Sequence, residues 1–294
     1  MHRSGTSIIG GLINKMGLKT GGPLIRPAVD NERGFFERID VVLQNDIFMQ
    51  QQKVHYAFHT EKYDALNALH TVYFTKKEEL FKEGDRGLAF LNDPLNYPYM
   101  LKDPRLCITL RTWLPLLKSL PVILFTFRHP LDVALSLHNR EQEHFRIARG
   151  LRLWYVYNRR AIQQSHDLCR VVASHKYIML QPREQFDRIF TELRACGLDV
   201  PRKLSNDEIA SFIDVKLQHG KSGSIDAACL LDANAFQSLP PPESWIKAEN
   251  EKEPNSQELS IYREAMRVYC AMESGAAFHA DFIWDEKMKD AGGE

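Results

Sequence analysis

The chain has no net charge: 38 Lys and Arg stand against 38 Asp and Glu in 294 residues. No global field therefore draws nucleic acid or an anionic membrane, and any charged site must be local. A C-x-x-C pair is also missing. The five cysteines, Cys107, Cys169, Cys196, Cys229 and Cys270, are an odd and widely spaced set, which argues against a disulfide framework or a zinc site and reads as reduced thiols. No basic-plus-apolar leader opens the sequence, and its most continuous apolar run, around Pro121 to Phe127, is far too short to span a bilayer. These absences lead to the expectation of a soluble, cytoplasmic chain with no membrane segment. Repeats and low-complexity tracts are lacking too, apart from the short run Pro240-Pro241-Pro242. What remains is an ordinary globular composition, 44% apolar, long enough for one large α/β domain or two small ones.

The most informative stretch is MHRSGTSIIGGLINKMG, Met1 to Gly17. A polar turn, Arg3, Ser4, Gly5, Thr6 and Ser7, feeds an apolar series at helical spacing, Ile8, Ile9, Leu12, Ile13 and Met16. Unpaired N–H groups at a helix start, its dipole, and a glycine that admits an oxyanion to the backbone make such a junction suited to phosphate or sulfate. Arg3 and the hydroxyls of Ser4, Thr6 and Ser7 add donors. The turn lacks the lysine of a Walker A loop, since Gly5 stands directly before Thr6, which disfavours an ordinary NTPase. A simple cap on an amphipathic helix is the competing reading.

Strand-turn-helix patterning continues along the chain. A helix is expected from Glu37 or Arg38 onward, with Glu32 and Glu37 flanking its loop-to-helix junction. Residues 50–91 read as mostly helical, ending in the charged KKEELFKEGDRG. A short strand is expected at Tyr99 to Leu101, a polar turn at Lys102-Asp103-Pro104-Arg105 and a helix from Leu106. PVILFTF reads as a strand buried on both faces, ending at Arg128, with a helix opened by Pro130 that places Ser136 two turns in. Arg128 and Ser136 are candidates for holding a second anion. A helix around Trp154 leads to a strand at Lys176 to Leu180, and Phe186, Ile189, Phe190 and Leu193 mark a further helix ended by Gly197. Ser205 to Glu208 reads as a capping box. HGKSGS, with Lys216 nearby, reads as a solvated loop, and Gln257 to Met272 as an amphipathic helix. The whole, 1–294, is expected to be a single α/β domain with a parallel sheet, its core about 1–200 and the rest a helical and loop extension.

MHRSGTS, GFFERIDVVLQND, KDPRL and FRHPLDVALSLHNRE, in that order, resemble the PAPS-dependent sulfotransferases, above all the bacterial-type group whose phosphosulfate loop reads G-M-H-R-S-G-T-S. The likeness runs from Met1 to about Val200. It implies a P-loop-type three-layer fold, a central parallel sheet flanked by helices, whose first strand is missing from this sequence. It also implies PAPS as co-substrate, no metal, and transfer of a sulfuryl group to a hydroxyl or amine of an acceptor, a saccharide among the candidates. By the same resemblance Arg3 steadies the leaving phosphate, Ser4, Gly5, Thr6 and Ser7 cradle the phosphosulfate, and Arg128 with Ser136 match the motif for the 3′-phosphate. Glu37 is the first candidate for the base, Glu32 the second and Asp103 the third, with Lys102 and Arg105 as further contacts. The alternative is a catalytically inactive relative that binds a nucleotide or a protein partner.

Overall fold

A computed structural model of the chain describes residues 1–28, 31–58, 60–74, 87–141, 145–213, 227–230 and 235–288. The expectations for 76–86 and for the loop at 219–224, with Lys216, fall outside these residues. In chain order the helices are α1 (Thr6–Lys15), α2 (Ile39–Gln50), α3 (Ala65–Phe74), α4 (Gly87–Leu91) and α5 (Leu106–Trp113). Strand β1 (Ile123–Phe127) follows, then α6 (Pro130–Glu141), α7 (Ile147–Gln164) and β2 (Arg170–Ser174). The remainder is helical: α8 (His175–Leu180), α9 (Pro182–Ala195), α10 (Asn206–Phe212), α11 (Glu243–Ala248) and α12 (Ser256–Glu273).

Among the described residues β1 and β2 form one two-stranded parallel sheet, with Ile123 opposite Arg170 and Phe127 opposite Ser174. Successive side chains of a strand take opposite faces, and each face has its own core. Phe125, Phe127 and Val172 pack with α7 and α12, which bring Leu151, Trp154, Tyr157, Ile261, Ala265 and Val268. Leu124, Val171 and Ala173 pack with α1 and α9, through Ile9, Leu12, Ile13, Phe186, Ile189 and Leu193. Gly150 lets α7 approach α6 closely: a Cβ there would stand 2.8 Å from the Cα of Ala134. Capping boxes open α10 at Ser205/Glu208, as the sequence predicts, and α12 at Asn255/Glu258.

This architecture corrects the expected fold class. A P-loop-type three-layer fold needs an extended central parallel sheet, and the described chain is mainly helical around two strands. Two expected strands account for the difference. Lys176 to Leu180 lies in the short helix α8, the strand being the preceding Arg170–Ser174. Tyr99 contributes only an isolated bridge to Lys19. With the sheet goes the sulfotransferase assignment that depended on it. The family resemblance, sulfuryl transfer from PAPS, PAPS as co-substrate and the nucleotide-binding inactive relative all lose their structural basis.

The cysteine reading is corrected as well, because Cys169 bonds to Cys196 and Cys229 to Cys270, leaving Cys107 as the free thiol. The first bridge ties the start of β2 to the end of α9, across the very core that buries α1. Disulfides of this kind persist in oxidising surroundings. Among the described residues no helix is long and apolar enough to cross a membrane.

Candidate anion site at the start of the first helix

The turn of residues 3–7 sits over the C-terminal ends of both strands. Thr126 of β1 donates from Oγ1 to the Ser4 carbonyl oxygen at 3.3 Å. Gly5 lies against His175, the residue that follows β2, so closely that a Cβ would stand 2.4 Å from His175 Cδ2. Strand ends of a parallel sheet are where α/β folds gather ligand-binding groups.

Backbone geometry makes this turn a donor surface. Arg3 and Gly5 both take left-handed conformations, φ 61° and 78°, which in a short turn gathers neighbouring N–H groups into an anion-accepting concavity. Gly5 is the N-cap of α1 and offers no side-chain acceptor, and no acidic residue occupies the first turn. The first-turn donors and the positive end of the dipole are thus unopposed from within the helix. Ser4 is fully buried, and among the described residues its Oγ has no hydrogen-bond partner. Such a hydroxyl is costly to leave unmatched.

The side chains that surround the turn come from distant parts of the sequence. Arg3 donates from Nε to Ser136 Oγ at 2.8 Å, across 133 positions. Arg128 directs Nε and Nη2 to Asp132 Oδ2, at 3.3 and 3.2 Å. Arg128 and Ser136 therefore lie near the turn but engage Asp132 and Arg3 rather than each other. Ser7 Oγ is met by Asn31 Nδ2 at 3.0 Å and by Lys102 Nζ at 3.4 Å, and Lys102 also pairs with Glu37 Oε1 at 2.5 Å. Burial acts on both partners toward neutrality, pushing the Glu37 carboxyl up and the Lys102 ammonium down against their mutual attraction.

The other carboxylates are placed differently. Asp103 is buried, with Oδ1 accepting from the Arg105 backbone N–H at 2.9 Å and from Arg105 Nη1 at 3.2 Å, and Oδ2 from Asn45 at 2.8 Å. Its acceptors are taken up by the fold. Glu32 is exposed on the turn at 31–34, next to Asn31. Among the described residues no group of three or more His, Cys, Asp or Glu is arranged to hold a metal.

Sequence reasoning missed His175 and Asn31. His175 was hidden by the misplaced strand; once β2 is set at 170–174, a polar residue at its C-terminal exit becomes a candidate. Its pKa is lowered to about 4, first by burial and then by the charge of Arg128, with Asp132 opposing. The folded protein thus requires a neutral imidazole. Above pH 6.5 both states are neutral and the stability is intact; below it the unfolded chain takes the proton first, so stability falls until about pH 4. Between about pH 7.5 and 4.5, His175→Gln is expected to lose about 2–3 kcal/mol less of its unfolding free energy than the parent chain. Urea titrations at the two pH values check this, and identical pH dependence in the two proteins contradicts it.

No protein-family model matches the chain, and no curated protein or solved structure matches it significantly.

Proposed function

We propose that the turn at residues 3–7 binds the phosphate group of a small phosphorylated molecule, with Arg3 and Arg128 supplying positive charge at its rim. The observation that carries this reading is the uncapped start of α1, with left-handed Arg3 and Gly5 and the unpartnered, fully buried Ser4 hydroxyl in one turn. A phosphate oxygen meets these needs together, since it accepts from backbone N–H groups, from a hydroxyl and from guanidinium. Ser7 links the turn to the Lys102 and Glu37 pair.

Calorimetric titration with phenyl phosphate, beside phenol as the uncharged control, tests the proposal. Binding of phenyl phosphate alone is expected. Arg3→Gln should weaken it about 10- to 100-fold, the range of one charge-assisted hydrogen bond. Equal heats for the two compounds, or an affinity unaffected by Arg3→Gln, would refute it.

A further inference from the structure

A second feature lies beside the turn and does not depend on its ligand. Between β1 and the segment 97–104 runs a cavity of about 680 Å³, floored by Ile9 and Ile13 of α1 and roofed by Leu110 and Trp113 of α5. Each of its long walls is a backbone edge. On β1, Ile123 donates its N–H to Cys169, toward β2. Strand alternation then sends the N–H and C=O groups of Phe125 and Phe127 the same way, and those of Leu124 and Thr126 to the opposite edge, the cavity side. On the facing wall Met100 donates to Lys19 and Lys19 to Pro98. The same alternation turns the backbone groups of Tyr99 and Leu101 away from Lys19 and toward the cavity. Among the described residues no backbone hydrogen bond engages the N–H of Tyr99 or Leu101.

Two extended backbone edges thus face each other across an apolar space with their donors and acceptors unmet. We infer that this groove takes up an extended peptide segment as an intervening strand, apolar on both faces, hydrogen-bonded to Leu124 and Thr126 on one side and to Tyr99 and Leu101 on the other. Size agrees. One strand residue fills a slot about 3.3 Å long, 4.8 Å wide and 10 Å deep, about 160 Å³, so the cavity holds about four residues beside a β1 of five. Chemistry separates a peptide from a lipid chain: hydrocarbon would fill the volume but leave buried N–H and C=O groups without partners, which is costly. Strand addition satisfies them, while aliphatic side chains above and below the strand meet α1 and α5. The top of the groove abuts Met1 and Thr6, so an inserted strand would also support the turn.

Residue-resolved amide exchange on the whole chain tests this. The probe is a capped peptide of alternating valine and isoleucine flanked by lysines, beside the same peptide N-methylated at alternate residues so that one edge loses its donors. The unmethylated peptide is expected to slow exchange at Tyr99, Leu101, Leu124 and Thr126 by about 100-fold or more, with the methylated one far weaker. No slowing, or equal slowing by both peptides, overturns the inference. So does slow exchange in the protein alone that increases with its concentration, which would assign the groove to a second copy. Filling of the cavity by decanoate with those amides still fast and no effect of peptide would likewise overturn it.

Discussion

Trp154→Ala is expected to lower the free energy of unfolding by about 4 kcal/mol. Trp154 is completely buried at the centre of α7, in the core shared by α6, α12 and one face of the sheet. Its removal leaves a large cavity in a region where Gly150 already brings α6 and α7 into backbone contact, so the helices cannot close inward to fill it. The indole also has a polar duty, since Nε1 donates to the Arg128 carbonyl oxygen at 2.9 Å. Alanine leaves that carbonyl without its partner and frees the chain where β1 hands over to α6. Stability should therefore fall by about a quarter to four fifths of the total of an ordinary domain, and phosphate affinity should fall with it because Arg128 loses its anchor. Trp154→Phe keeps most of the volume and is expected to cost about half as much. Urea unfolding followed by circular dichroism gives both numbers; a loss below about 1 kcal/mol for the alanine variant would show that the core closes over the gap.

Gly5→Ala is expected to have the second largest effect, and a different one. Two costs combine at this position. The backbone at φ 78° is left-handed, which adds about 1–2 kcal/mol for an alanine. The new methyl would also stand 2.4 Å from His175 Cδ2, inside any permitted contact, so the turn or the imidazole must move. A total of about 2–3 kcal/mol is expected, with phenyl phosphate binding reduced beyond measurement because the N–H groups of the turn no longer converge. The two costs separate in a cycle. Adding His175→Ala to Gly5→Ala removes the collision but not the backbone strain, and about half of the lost stability should return. If none returns, His175 is not what Gly5 accommodates.

Several local elements are legible in the sequence, whereas the architecture they build is not, and the misses have physical causes. The apolar spacing of α1, the strand-to-helix step at Arg128 and Pro130, the periodic face of α9 and the capping box at Ser205 are local patterns, and the structure has them where they were expected. The number of strands is not local. A short apolar run such as Tyr99 to Leu101 is compatible with a strand, but it becomes one only if a neighbouring segment pairs with it over several residues, and here Lys19 supplies a single bridge. VVASHKYIML contains two apolar runs about His175; the β-branched first run is the strand and the second is a helical turn, a division that composition alone does not mark. Disulfides were missed because pairing follows proximity in space. Cys169 and Cys196 meet only because α9 returns along the sheet and brings its end beside the start of β2.

For the site, the residues of the turn were read from their types and order, and Arg3 with Ser136 come together as a consequence of α6 running back past β1. What the turn's chemistry serves was over-read, because the motif order suggested a sheet that two strands do not make. The partners of Ser7 and the role of Asp103 inside the fold depend on α2 and the 97–105 segment packing together, which no spacing rule conveys.

The hydrogen bonds from Arg3 to Ser136 and from Thr126 to Ser4 join the turn to residues more than 120 positions later. During synthesis the turn therefore emerges from the ribosome long before the groups that hold it, and it stays an unmade site until β1 and α6 have also left the exit tunnel. A ribosome stalled before Ser136 would display a chain whose first helix can form but whose turn at residues 3–7 is not yet held in place.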